Sequence, residues 1–171
     1  MYIVKRGEIH LCDLNPTKGC EKNKTRAVLI VQNDIGNTHS PTTIGVVFTS
    51  VFTERDKKYP TNVYVKKDSL NKLQANSMLQ TNQIRTLDSE MRFKHKIGEL
   101  DRTTMDKVDI ALKISIELME MCPSCKTVLL KKLEKCPRCD LKLRDKCKMC
   151  NELIEQEWKY CPICGREVER K

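Results

Sequence analysis

Four Cys-x-x-Cys pairs near the end of the chain place the strongest constraint on what it can fold into. Each cysteine of the first two pairs is followed, 25 residues later, by a cysteine of the last two pairs. Two-residue spacing lets both thiolates of a pair face one ion while neighbouring amides donate hydrogen bonds to the sulfurs, and two pairs complete a tetrahedral zinc site. The sequence therefore predicts two structural zinc ions, bound by Cys122, Cys125, Cys136, Cys139, Cys147, Cys150, Cys161 and Cys164.

The region that carries these pairs has too few large apolar residues to fold around a core of its own. It contains no Phe, and Trp158 is the only Trp. The endings LEKCPRCD and WKYCPICG resemble those of double zinc ribbons. We predict that the metal supplies the folding free energy of residues 121–171, and that closed four-thiolate sites exclude a catalytic role for it. The repeat favours zinc sites within 122–139 and 147–164, although a nested pairing uses the same ligands.

The preceding 120 residues show the patterns of several short strands followed by a helix. The run AVLIV, directly after Arg26, is apolar on both faces and predicts a buried central strand. Apolar residues recur at helical spacing from Thr103 to Met119, with Asp101 or Thr103 as the candidate N-cap. We expect an α+β fold, with a curled antiparallel sheet and a closing helix in residues 1–120 and zinc ribbons in 121–171. The other strand candidates are GEIHLCDL, TIGVVFTSVF and YPTNVYVKK, together with SMLQTNQIRTL, which predicts one or two short strands around a bend.

The net charge of +9 favours a polyanionic partner such as RNA. Eight thiolates binding two zinc ions lower the charge of residues 121–171 by four, which leaves that region nearly neutral. Nine basic residues nevertheless fall between Lys126 and Lys148, so any contact of the ribbons with nucleic acid is expected there. The chain shows neither an apolar span of about 20 residues nor a signal peptide pattern, and we expect a cytoplasmic protein with reduced thiols and no membrane contact.

A cluster of charged and hydroxyl residues flanks the predicted central strand. An RNA phosphodiester is cut without a metal when its own 2′-hydroxyl attacks the phosphorus, provided that a positive group clamps the phosphate. The planar guanidinium of Arg26 suits that clamp, and Glu21 can accept a proton. The candidate catalytic residues are Arg26, Thr49 and Glu21, and the candidate RNA-binding residues are Lys18, Lys22, Lys24 and Ser50.

The order of motifs along residues 2–120 resembles the MazF/PemK toxin family. The resemblance is carried by VKRGEIHLCDLNPTKGCEKNKTRAVLIVQNDIG, then SPT, FTS, YPTNV and QIRTLD. It implies an SH3-like barrel, a homodimer and sequence-specific cleavage of messenger RNA that leaves a 2′,3′-cyclic phosphate and a 5′-hydroxyl. It also implies that Arg26 and Thr49 are catalytic and that no metal is needed for catalysis. Ala27 stands where members of the family commonly have Pro.

The same resemblance implies partners beyond RNA. A cognate antitoxin is expected to occupy the RNA groove, and contact with DNA is expected only through an antitoxin complex. Two alternatives remain open on the sequence alone. One is a toxin on the same barrel that does not cleave, and the other is a nucleic-acid-binding or protein-binding adaptor.

The three histidines of the chain are not expected in the site. None of His10, His39 and His95 adjoins the Arg26 or Thr49 motif, and His95 is placed near the start of the last helix. A ribonuclease mechanism that uses imidazole as acid and base is therefore not predicted.

Overall fold

The computed structural model describes residues 3–19 and 21–168 of the chain. It divides into two compact units, Met1–Ser115 and Ile116–Lys171. No helix in the described part of the chain has both the length and the apolar character needed to cross a bilayer.

The first unit is a single antiparallel sheet of six strands with two helices, which confirms the predicted α+β class. The strand order is β4-β5-β3-β2-β1-β6, so β5 lies between β4 and β3, and β6 returns to lie beside β1. A 3₁₀ turn, Asp56–Lys58, precedes β4. The elements are β1 Glu8–Asp13, β2 Thr25–Ile30, α1 Asp34–His39, β3 Thr42–Thr49, β4 Asn62–Val65, β5 Ser77–Asp88, β6 Phe93–Glu99 and α2 Arg102–Ser115.

Strand β2 is buried on both faces, as the run AVLIV predicts. Val28, Leu29 and Ile30 each have 0% of their surface exposed. Successive side chains of the strand enter different clusters, since Leu29 packs with Ile9, Val46 and Phe48 whereas Val28 packs with Cys12, Val47 and Leu87. Fixing β2 from both sides also fixes Arg26, its second residue.

Two features of the first unit differ from the sequence-based expectation, and a third resolves an alternative that the sequence left open. Phe93–Glu99 forms β6, a strand that the sequence analysis did not identify. The expected loop after β2 contains the short helix α1, whose first turn is capped by the Asn33 side chain accepting from the N–H of Gly36 at 2.8 Å. The segment from Ser77 to Asp88 is one strand with a register irregularity opposite Val46 and Phe48.

Helix α2 begins and ends through local backbone chemistry. The Asp101 carboxylate accepts hydrogen bonds from the N–H of Thr104 at 3.0 Å and from its hydroxyl, so Asp101 provides the predicted cap. The helix buries Val108 and Ala111 and packs against β4 and β5. It ends at Ser115 rather than near Met119, because Glu117 has a φ of 62° that no helical residue adopts.

The segment between β4 and β5 brings the two edges of the sheet together. The carbonyl of Leu70 accepts a hydrogen bond from the N–H of Glu99 in β6 at 3.2 Å. Gly98 allows this approach, because a Cβ there would lie 2.5 Å from the carbonyl oxygens of both Leu70 and Asn71. The close approach curls the sheet into a barrel and holds residues 70–75 over β6.

The second unit consists of two small hairpins, each next to one set of cysteine pairs. Strand β7 Met119–Met121 pairs with β8 Val128–Leu130, and β9 Arg144–Lys146 pairs with β10 Leu153–Glu155. Leu129 and Ile154 are the buried apolar side chains of the two hairpins, at 4% and 0% exposure. Each one packs against cysteines, so the apolar contribution to stability is small.

The substitution Gly98→Ala tests the closure of the barrel. We expect it to lower the free energy of unfolding of the first unit by about 1–3 kcal/mol, because two backbone carbonyls must move to admit the methyl group. Chemical denaturation followed by circular dichroism measures the loss. Gly36→Ala is the matched control, since its Cβ meets only the flexible side chain of Gln32. Equal stabilities of the two variants would contradict the role assigned to Gly98.

Candidate active site and metal centres

A cavity of the first unit opens between β1, β2, β6 and the segment before β5. It encloses about 520 Å³ and combines an apolar floor with a polar rim. Leu11 lies in the floor, directly between Ala27 of β2 and His95 of β6 in the strand register. The polar residues that line the cavity are Thr25, Arg26, Ser50, Lys72, Gln74, Ser77, His95 and Lys96.

Arg26 stands at the rim of this cavity with one side of its guanidinium already held. Its Nε donates to the carbonyl of Asn23 at 2.8 Å. Within residues 3–19 and 21–168 the structure shows no further hydrogen bond from the side chain of Arg26. The N–H groups of the two terminal nitrogens are therefore available to a ligand. A planar guanidinium held in this way can donate to two oxygens of one phosphate.

The end of β3 places Ser50, but not the side chain of Thr49, among the lining residues. Thr49 is 4% exposed, and its hydroxyl donates to the carbonyl of Val51 at 3.2 Å while lying 3.3 Å from the N–H of the same residue. These contacts fix the turn that follows the strand. Ser50 is exposed and lines the cavity together with Arg26.

The basic loop before β2 is held by an arginine that the sequence analysis did not single out. Arg85 of β5 donates to the carbonyl of Lys22 at 2.9 Å and forms an ion pair with Glu21 at 2.9 Å. Glu21 also lies 3.3 Å from the N–H of Lys18. Glu21 is thus engaged with the loop itself and is not among the residues that line the cavity. Lys18 and Lys24 are exposed.

His95 lies in the cavity with Arg26, which corrects the sequence-based placement. The histidine is in β6, not at the entry to the last helix, and it pairs with Leu11 of β1. It was missed because β6 itself was missed, and the only available signal was the short run FKHKI. Lys96 of the same strand forms ion pairs with Glu8 at 2.9 Å and Glu99 at 3.0 Å.

The charges around the cavity favour an anionic ligand. Arg26, Lys72 and Lys96 line it, and no Asp or Glu is among the lining residues that the structure gives. Lys72 comes from the segment held over β6 and has a φ of 51°. Lys96 is already paired with Glu8 and Glu99, so Arg26 and Lys72 are the cations of this concave site that suit a phosphate of a nucleic acid backbone.

The eight paired cysteines form two separate quartets, each within one hairpin unit. The sulfur atoms of Cys122, Cys125, Cys136 and Cys139 lie within 4.8 Å of one another, and so do those of the second quartet. This settles the pairing in favour of two sites in sequence order. The closest sulfur pairs are 3.6–3.7 Å apart. A tetrahedron with Zn–S distances of about 2.3 Å has edges of about 3.8 Å, so both quartets fit zinc.

All four Cys-x-x-Cys pairs, which we call knuckles, share one backbone geometry. The residue after the second cysteine of each pair has a positive φ, at 58° for Lys126, 55° for Asp140, 60° for Asn151 and 69° for Gly165. Its N–H donates to the carbonyl of the first cysteine of the pair at 2.8–3.0 Å. Only one of the four is Gly, so the other three hold a conformation that their side chains disfavour. The repeated turn shows that Lys126, Asp140 and Asn151 form the same turn as Gly165.

Hydrogen bonds lower the pKa of four quartet cysteines and so favour the thiolate that binds metal, whereas burial and neighbouring thiols raise the pKa of Cys139 to about 11 and that of Cys150 to about 12. The Thr127 hydroxyl, 3.3 Å from Sγ of Cys125, and then the Thr127 N–H lower the pKa of Cys125 to about 6. The N–H groups of Cys150 and Met149 lower the pKa of Cys147 to about 6. By contrast, burial raises the pKa of Cys12, outside the quartets, to about 12.

Arg144 connects the two hairpins of the second unit. It is 5% exposed, and its terminal nitrogens both lie 2.6 Å from the carboxylate of Glu120 beside the first quartet. Its Nε donates to Glu155 at 2.8 Å beside the second quartet. A buried guanidinium that forms two hydrogen bonds with one carboxylate constrains the orientation of both groups in addition to pairing their charges.

Comparison with known proteins identifies both units. Residues 5–116 match the PemK-like, MazF-like toxins of type II toxin–antitoxin systems, and residues 118–165 match the double zinc ribbon. The chain is 42% identical over 118 residues to the endoribonuclease EndoA of Bacillus subtilis (strain 168), which covers 69% of this chain and 98% of the relative. It is 40% identical over 116 residues to the endoribonuclease MazF of Staphylococcus epidermidis, which covers 68% and 93%. The chain therefore belongs to the PemK-like, MazF-like toxin family.

Solved structures agree with this assignment. An endoribonuclease from mycobacterial species is 25% identical with a TM-score of 0.54, covering 68% of this chain and 94% of that one. A mycobacterial endoribonuclease in complex with its cognate antitoxin is 25% identical with a TM-score of 0.55, covering 67% and 96%. MazF from Deinococcus radiodurans shares the fold, with a TM-score of 0.56 at 18% identity and coverage of 68% and 99%.

The two quartets generate a prediction about metal content. Protein purified without oxygen should carry two zinc ions per chain, and Cys136→Ser should reduce that number to one. Native mass spectrometry counts the ions. Chelation should unfold the second unit while the sheet of the first unit persists, because metal supplies most of the folding free energy of the ribbons. Cys12→Ala is the control and should retain both ions; one ion or none in the unmodified chain would contradict the two-site assignment.

Proposed function

We propose that this protein is a sequence-specific endoribonuclease of a type II toxin–antitoxin system, which cuts single-stranded RNA without a catalytic metal. The observation that carries the proposal is the cavity in which Arg26, Ser50, Lys72 and Lys96 converge without a lining carboxylate. The endoribonuclease relatives, EndoA and MazF, support it across nearly their whole length. These relatives favour an enzyme over the non-cleaving toxin or adaptor considered from the sequence.

The proposed chemistry uses the nucleophile that the substrate already carries. The 2′-hydroxyl attacks the adjacent phosphorus, and a 2′,3′-cyclic phosphate and a 5′-hydroxyl result. Arg26 clamps the phosphate oxygens and stabilises the charge that develops on them. Thr49, through its contacts with Val51, shapes the turn that presents Ser50, and we assign both hydroxyl residues to the same phosphate site.

The loop before β2 has a separate role in this proposal. Lys18, Lys22 and Lys24 attract the RNA backbone to the rim of the cavity. Glu21, predicted from the sequence as a proton acceptor, is held by Arg85, so its contribution is proposed to be the orientation of this loop. Reaching the phosphate would require Glu21 to leave that ion pair.

The partners are proposed from the same family membership. A homodimer is the expected state, and a cognate antitoxin with acidic and apolar residues would fit the basic rim. The mycobacterial relative solved with its cognate antitoxin supports such a partner. Contact with DNA would arise only through an antitoxin complex, and the proposed location is the cytoplasm.

The zinc ribbons are proposed as a targeting module rather than part of the catalytic site. All eight metal ligands belong to closed quartets, which offer no open position for a substrate. Ion pairs within the second unit partly neutralise the predicted basic patch between Lys126 and Lys148, because five of its nine cations pair with carboxylates. These pairs are Lys131 with Glu117, Lys135 with Asp140, Lys142 with Asp145, Arg144 with Glu120 and Glu155, and Lys146 with Glu134.

The first test concerns catalysis. Arg26→Ala should reduce the rate of RNA cleavage by about 10² to 10³-fold, because one charge-stabilising donor is lost. The rate is measured on a long RNA in short incubations with EDTA, with cut sites and end chemistry mapped. Arg102→Ala, at the exposed start of α2, is the control and should cut at the unmodified rate. Full activity of a correctly folded Arg26→Ala protein would overturn the assignment.

The second test concerns the ribbons. Replacing Lys126, Lys132 and Arg138 with Gln should weaken RNA binding uniformly and flatten its salt dependence, since these three cations are outside the ion pairs that the structure shows. Binding is measured over a range of salt, and the cut sites should not change. Lys159→Gln with Arg166→Gln is the control in the second hairpin. A new cut-site motif would mean that the ribbons read bases, and an unaltered salt slope would favour a protein target.

A further inference from the structure

We infer that His95 is a catalytic residue that accepts the proton of the attacking 2′-hydroxyl. The inference rests on the proposed function and assigns a step that Arg26 alone does not provide. His95 lines the same cavity as Arg26 and Ser50. A guanidinium stays protonated in proteins, whereas an imidazole ordinarily gains and loses a proton near pH 6.5.

The composition of the cavity singles out His95 for this role. Among the described residues that line it, His95 carries the one imidazole, a side chain that can accept as well as donate a hydrogen bond, whereas the other ionisable groups are Arg26, Lys72 and Lys96. Glu21, the other candidate acceptor, is paired with Arg85 outside this lining. His95 is exposed, so its ring can reach a bound RNA from the rim.

Two secondary-structure constraints hold His95 in place. Its backbone pairs with Leu11 of β1, which in turn pairs with Ala27, the neighbour of Arg26. Three adjacent strands therefore hold His95, Leu11 and Ala27 side by side, next to the start of β2. On the other side, the segment above Gly98 supplies Lys72 and Gln74 to the same cavity.

The charged groups around His95 define its electrostatic surroundings. They are Arg26 from β2, Lys72 from the segment before β5 and Lys96 from β6, together with His10 and Glu8 of β1. Glu8 is occupied by Lys96 at 2.9 Å and by His10 at 2.9 Å. Lys96 is held by Glu8 and Glu99, so Arg26 and Lys72 are the cations that remain for the negative charge of the phosphate, and His95 is the lining side chain that can accept a hydrogen bond from the 2′-hydroxyl.

The proposed step transfers one proton from the 2′-hydroxyl to His95 and one proton from water to the leaving oxygen. The bond between the 2′-oxygen and phosphorus forms while the 2′-hydroxyl proton moves to a ring nitrogen of His95. The bond between phosphorus and the 5′-oxygen breaks, and that oxygen keeps the electron pair and takes a proton from water. The imidazolium then returns its proton to the solvent, so the enzyme is regenerated without oxidant, reductant or metal.

The test compares pH–rate profiles of the full-length protein on one defined RNA. Single-turnover cleavage by the unmodified protein should rise with pH and then level off, as expected for a base that must be unprotonated to act. His95→Gln should lose that inflection and be about 10² to 10³-fold slower on the plateau. His39→Gln, at the exposed end of α1, is the matched control and should retain both rate and profile.

Two further readouts separate proton transfer from binding. Affinity for an RNA with a 2′-deoxy nucleotide at the cut site should change less than about 3-fold in His95→Gln, and added imidazole should restore part of the rate of His95→Ala. An unchanged profile, or a loss of affinity as large as the loss of rate, would overturn the inference while leaving the proposed function intact. Absence of RNA cleavage by the unmodified protein would overturn both.

Discussion

The burial of β2 on both faces is the constraint on which the rest of the first unit depends. Val28, Leu29 and Ile30 are excluded from solvent by neighbours on either side of the sheet. Shifting this strand by one residue would exchange its two sets of packing partners, so its register is tightly fixed. Arg26 inherits that precision, because it is part of the same strand and its Nε is tied to Asn23. A site built on a rigid strand keeps its geometry when substrate binds.

The sequence predicts the parts of the structure in which chemistry and spacing repeat. The eight metal ligands, their separation into two regions and the central strand all follow from residue types at fixed intervals. Strand β6 does not follow in this way, because four of its seven residues, Lys94, His95, Lys96 and Glu99, are exposed. It is held by backbone pairing with β1, a long-range contact that leaves little trace in hydrophobic periodicity. His95 and Lys96 were missed for the same reason.

The residues of the candidate site also differ in whether the sequence could predict them. Arg26 and Ser50 could be proposed from motifs that flank recognisable strands. Lys72 and Gln74 could not, since they reach the cavity only because Gly98 admits the segment before β5. The engagement of Glu21 by Arg85 likewise depends on a contact across 64 residues of chain. Where a role depends on which loop crosses which strand, local sequence patterns are insufficient.

The position of Arg144 has a consequence for how the two quartets respond to metal supply. One guanidinium is shared between Glu120 beside the first quartet and Glu155 beside the second. Ordering one hairpin fixes this guanidinium and so lowers the free-energy cost of ordering the other hairpin. Metal binding at the two sites is therefore coupled. Zinc would then load and leave as a pair over a narrow range of free ion concentration, and intermediates with a single ion would be scarce.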